Sequence, residues 1–142
     1  MASINKGRFW LGVLAGGVVF TAFGFLVGML GHEDAGIAAA TAAGQFLKAP
    51  RYPLFMPEWI ILLFLLAYIL TWLYVSLRGT LGPGPWTALR VGFLVGFAAG
   101  FPLNFALATW APYSRTLPLL WTIEMWGGAI LATLVAGWVY KD

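Results

Sequence analysis

The sequence predicts an all-α integral membrane protein, a four-helix bundle with a short extracytoplasmic loop helix. Of its 142 residues, 61% are hydrophobic and 9% charged, against roughly 45–50% and about 25% in soluble domains. The apolar residues fall into four runs of about 20, each long enough to cross a hydrocarbon core of about 30 Å at about 1.5 Å of rise per residue. The charged side chains gather mainly between the runs, where water can reach them. A single transmembrane domain over 1–142 results, with spans near 9–30, 58–78, 86–110 and 117–140. That leaves no length for a soluble catalytic domain. The cysteine count of zero removes disulfides, thiolate metal sites and iron–sulfur clusters.

The first span opens behind Lys6 and Arg8 and closes at Gly31-His32-Glu33-Asp34. Its apolar stretch exceeds the 7–15 residues of a typical signal-peptide core, so it reads as an uncleaved anchor. Residues 32–56 form the one sizeable connection. Asp34 is a favourable N-cap for an alanine-rich helix over 35–47, and Pro50, Pro53 and Pro57 favour an extended return. The second span starts at Pro57-Glu58, a proline and a carboxylate suited to a helix N-terminus, and ends at Arg78. Gly79-Thr80-Leu81-Gly82-Pro83-Gly84-Pro85 reads as a tight turn. Within the third span Pro102 removes a hydrogen bond to Ala98 and predicts a kink. The fourth span comes after a short connection over 111–116.

Lys6, Arg8, Arg78, Arg90 and Lys141 fall on one side of these spans and Lys48, Arg51 and Arg115 on the other. The positive-inside rule then puts both termini in the cytoplasm of a multi-pass inner-membrane protein. The basic residues sit at helix ends rather than on one face, so the net charge of +3 predicts no nucleic-acid partner. Trp10, Trp59, Trp86, Trp110 and Trp138 lie near span ends and read as an interfacial belt. Trp72, Trp121 and Trp126 lie deeper.

Lipid gives helices no hydrophobic reason to associate, so small residues at four-residue spacing mark close approach. Gly12-xxx-Gly16 and Gly24-xxx-Gly28 in the first span, and Gly92-xxx-Gly96-xxx-Gly100 in the third, predict two packing faces, meeting each other or a partner. The pentapeptide Gly-Phe-Leu-Val-Gly occurs at 24–28 and at 92–96. Its copies lie toward opposite ends of helices that run the same way, so it reads as a chance match rather than a transporter-type repeat.

Glu124 is the only acidic residue well inside a span, where an ionisable side chain needs a partner, water or a proton. Asn104 lies within a turn of the same depth, which allows an Asn104–Glu124 hydrogen bond. Tyr68, Thr71 and Thr21 are the other polar candidates. Read as structure, Glu124 fixes helix register. Read as chemistry, it couples a proton or cation. A single membrane carboxylate and a single interrupted helix favour the structural reading. His32-Glu33-Asp34 are consecutive and no second His exists, so no metal site is expected. No nucleophile–base pair, phosphate loop or HExxH helix is present, so no enzyme activity is expected. Nor is a cofactor expected beyond bound lipid, and nothing supports a pigment or haem contact.

The basic start, the glycine-rich first helix, Arg78-Gly79 ahead of the glycine-spaced third helix and the ending Ala136-Gly137-Trp138-Val139-Tyr140-Lys141 resemble a group of small four-helix bacterial membrane proteins with no agreed activity. The resemblance implies a location and a topology and carries over no site residues. Two functions remain in view. The first is a non-catalytic accessory or scaffold subunit beside a larger membrane complex, respiratory or photosynthetic. The second is a small homo-oligomeric proton- or cation-coupled transporter or channel using Glu124 and Asn104.

Overall fold

The computed structural model describes residues 4–141; residues 1–3 and 142 of the single domain expected over 1–142 lie outside the described residues. Five α-helices occur in order: α1 (Lys6–Leu30), α2 (Glu33–Ala42), α3 (Phe55–Leu81), α4 (Pro85–Trp110) and α5 (Thr116–Val139), with no strand among the described residues. All but α2 are long and apolar enough to cross a membrane. Their outward faces carry large apolar side chains such as Leu14, Ile61, Leu94 and Leu119, each more than half exposed.

Helix ends follow local chemistry. Asn5 caps α1, its side-chain oxygen accepting from the Arg8 N–H at 3.1 Å. The second connection is shorter than the sequence suggests, because α3 persists through Gly79 and Thr80 to Leu81. Those residues still carry backbone donors, and only Pro83 forces the chain off the helix. Gly82 and Gly84 then adopt φ of 87° and 126°, a region that favours glycine. The Thr87 hydroxyl donates to the Gly82 carbonyl at 2.7 Å and closes the turn.

The α2 segment departs further from expectation. Asp34 is not the N-cap. Helix α2 starts two residues earlier, behind His32, which takes the left-handed conformation at φ 55° and ψ 41°. Glu33 and Asp34 thus occupy the first turn, where carboxylates suit the helix dipole. The helix also stops short of the expected Leu47. Gly44 adopts φ 73°, Gln45 N–H donates to the Ala40 carbonyl at 2.9 Å, and Gly44 N–H donates to the Thr41 carbonyl at 3.0 Å. This pair of bonds is a Schellman stop. The Gln45 side chain then donates to the Pro112 carbonyl at 2.9 Å, tying this loop to the α4–α5 connection.

Helix α5 is the hub of the bundle. It packs against each of the other four helices, whereas α1 and α4 do not touch. Two rows of small side chains make this possible. One row meets α1: a Cβ on Gly16 would lie 3.1 Å from the Ala132 carbonyl, and one on Gly12 3.5 Å from that of Ala136. The other meets α4: a Cβ on Gly92 would lie 2.7 Å from Ile130 Cα, one on Gly96 2.9 Å from the Trp126 carbonyl, and one on Gly100 3.0 Å from Met125 Cβ. The two glycine faces therefore meet α5 and not each other. Phe20, Leu63, Leu70, Val91, Ala129 and Ala132 fill the core between the helices.

Candidate functional site

Near the C-terminal end of α1 the bundle opens. Phe64 packs over Gly17, but a Cβ added at Gly24 would meet nothing within 4 Å. The space there is a cavity of about 900 Å³ bounded by α1, the start of α2, the first turns of α3, and α5. Apolar and aromatic side chains including Phe25, Phe55, Trp59 and Leu63 form its walls. Thr21, Glu33, Trp121 and Glu124 supply polar groups, with His32 and Asp34 also lining it.

The turn at His32 reverses the chain, so that Glu33 reaches back over Gly28. Glu33 Oε2 lies 2.6 Å, and Glu124 Oε1 3.4 Å, from the point where a Gly28 Cβ would sit, so the two oxygens are no more than 6.0 Å apart. Trp121, one turn before Glu124, donates its indole N–H to Glu33 Oε1 at 2.6 Å. Glu124 Oε1 is buried and has no donor. Two ionised carboxylates can only accept, so only a donor brought from elsewhere can serve both oxygens. The cavity therefore presents an aromatic wall, one carboxyl oriented by an indole, and a second with an empty acceptor.

Asn104 does not complete this site. Its side chain donates to the Gly100 carbonyl at 2.8 Å, four residues back on its own helix, and no bond joins it to Glu124 among the described residues. The reason is azimuth. Glu124 belongs to the row Leu120, Glu124, Gly128, Ala132 and Ala136, which faces α1, while Asn104 extends the row Gly92, Gly96 and Gly100 that faces α5 from the other side. Equal depth does not put two side chains on one face. Tyr68 and Thr71 also lie elsewhere. The Tyr68 ring packs on Phe9 and Trp10, at 5.5 and 5.8 Å between centroids. Phe9 and Gly28 are separated by about 28 Å along α1. Thr71 is fully buried, donates to the Ala67 carbonyl at 2.7 Å and contacts Gly12. Thr21 alone of those three candidates lines the cavity, its hydroxyl donating to the Gly17 carbonyl at 2.8 Å.

Gly24 and Gly28 share the spacing of Gly12 and Gly16 but do a different job: they leave room for the cavity and for the carboxyls above it. The partner that sequence reasoning missed is Glu33. Its signal is the break at Gly31-His32 followed at once by a carboxylate. Among the described residues no three His, Asp or Glu side chains are grouped to hold a metal ion. The deep tryptophans divide: Trp121 serves the cavity, Trp72 is about half exposed, and Trp126 packs edge-on against Phe93, Phe97 and Phe101 with its buried N–H unpaired. No family model, characterised protein or solved structure matches the chain.

Proposed function

We propose that this chain is a multi-pass membrane protein that binds and moves a cation, a proton included, through the Glu33–Glu124 pair. The observation that carries the reading is the buried, donorless Oε1 of Glu124 beside Glu33 in an open cavity. A carboxyl kept at such depth is costly unless a proton or cation visits it. The five-to-three distribution of Lys and Arg supports cytoplasmic termini in an inner membrane, which puts the cavity and α2 on the extracytoplasmic side. The activity proposed is binding and translocation rather than bond-making. The pair replaces the Glu124–Asn104 combination that depth alone suggests, and it supplies the second carboxyl whose absence from the spans weighs against transport.

The packing-subunit role has a separate observation behind it. Phe97, Phe101 and Phe105 stack along α4 at 5.2 and 5.7 Å between centroids and remain well exposed. Lipid, a second copy or a larger complex could cover that ladder. Reconstitution into vesicles separates the readings. Uptake of protons, sodium or potassium that Glu124→Gln abolishes while the protein stays folded supports transport. Co-purification with a stoichiometric complex, with no flux in vesicles, supports the packing role.

A further inference from the structure

The cavity has a chemistry more particular than cation binding alone. Resting on the cation-handling reading, we propose that it takes a primary ammonium carried on an apolar body, an amphipathic amine. Its volume of about 900 Å³ is in the range of pockets that enclose whole organic ligands, far beyond the space of a bare ion. A lone metal ion would also need a shell of oxygens, and the described residues hold no such group of carboxylates and imidazole.

The polar end specifies donors. Glu33 Oε1 is already occupied by the Trp121 indole, whereas Glu124 Oε1 is buried without a donor and Glu33 Oε2 faces the same gap over Gly28. An ammonium with three N–H groups can serve both oxygens at once, and a quaternary ammonium can serve neither. The apolar end specifies a body. Phe25, Phe55 and Trp59 line the remainder, and aromatic faces attract a cation and its hydrocarbon alike. Gly24 leaves the wall open, with nothing within 4 Å of its Cβ position, and neighbouring Phe25 and Met29 are 54% and 67% exposed. A ligand can thus enter sideways from lipid. A free amine and the ethanolamine headgroup of a phospholipid share this chemistry, and the experiment distinguishes them.

The test is equilibrium dialysis of labelled 2-phenylethylamine against the full chain in phosphatidylcholine nanodiscs, whose headgroups carry no N–H. Saturable binding of one amine per chain is expected, with at least tenfold weaker binding of phenyltrimethylammonium. Glu124→Gln should weaken phenylethylamine binding at least tenfold. Gly24→Leu, which adds bulk to a cavity wall whose Cβ position has nothing within 4 Å, should do the same and guards against a misfolded Glu124 variant. Repeating the titration in phosphatidylethanolamine nanodiscs assigns the source: lost binding identifies the headgroup as occupant, and unchanged binding identifies a free amine. Binding that does not saturate, that Glu124→Gln and Gly24→Leu both leave intact, or that the quaternary analogue matches overturns the proposal. Sodium, potassium or proton flux through Glu124 without amine binding would overturn it while leaving cation handling standing. Absence of both removes the two together.

Discussion

Replacing Gly92 by Ala tests the α4–α5 seam with the smallest possible side chain. The added Cβ would lie 2.7 Å from Ile130 Cα and 2.9 Å from the Ala129 carbonyl, whereas ordinary contact begins at 3.4 Å. Both neighbours are backbone of a packed helix and cannot rotate away, so the helices must part by about 0.5–0.7 Å locally. A gap of that order forfeits about a quarter to a half of each affected dispersion contact, and overpacking of this kind costs about 1–3 kcal/mol. Alanine regains about 0.5–1 kcal/mol of helix propensity over glycine, leaving a net loss of about 0–2.5 kcal/mol. Gly24→Ala supplies the control. It gains the same propensity and meets nothing within 4 Å, so it should be stabilised by about 0.5–1 kcal/mol. Gly100→Ala should fall between, because its nearest neighbour is the Met125 side chain at 3.0 Å. Unfolding by SDS in mixed micelles, followed by tryptophan fluorescence, measures all three. Equal shifts for Gly92→Ala and Gly24→Ala would refute close packing at this seam.

Four further outcomes are expected. His32→Asn should fold normally, since Asn tolerates the left-handed region, while the β-branched His32→Val should lose about 1–2 kcal/mol in the same unfolding assay. Trp126→Phe removes a buried N–H that has no acceptor and should change stability by less than about 1 kcal/mol, because lost ring volume offsets relief from an unsatisfied donor; a larger loss would show that the N–H is satisfied after all. Asn104→Leu should leave any Glu124-dependent flux intact, since among the described residues its side chain bonds to the Gly100 carbonyl of its own helix, and abolished flux would restore the Asn104–Glu124 pairing. Cysteines introduced at Ala43 and Lys141 should label from opposite sides of the membrane, and labelling of both from one side would overturn the topology.

The four long apolar helices were legible because an apolar run needs only length and composition to be recognised, and α1 and α3 to α5 begin and end within about three residues of the expected positions. The ends that moved did so for backbone reasons: Leu81 stays helical because the first proline comes two residues later, and α2 ends at Ala42 rather than Leu47 because Gly44 just beyond it can turn left-handed. Close approach was legible as glycine spacing, but its target was not. Gly92, Gly96 and Gly100 meet the Trp126, Ala129 and Ile130 side of α5, while Gly12 and Gly16 meet Ala132 and Ala136. That arrangement depends on small residues lining two faces of α5, and the glycine pattern of α1 and α4 does not contain it. Glu124 could be singled out from its depth alone. Its partner could not, because Glu33 reaches it only through the left-handed turn at His32, a tertiary consequence of one backbone conformation.

If Glu33 and Glu124 form one cation site, their carboxyls must respond together when a cation arrives. Infrared difference spectroscopy of the reconstituted protein, recorded on adding and removing 2-phenylethylamine, sodium or protons, observes those carboxyls directly. A shared site predicts a carboxyl band that changes on ligand addition, disappears in Glu124→Gln, shifts in Glu33→Gln and persists in Asn104→Leu. A spectrum without ligand-dependent carboxyl change, or one that both glutamate variants leave untouched, would contradict it.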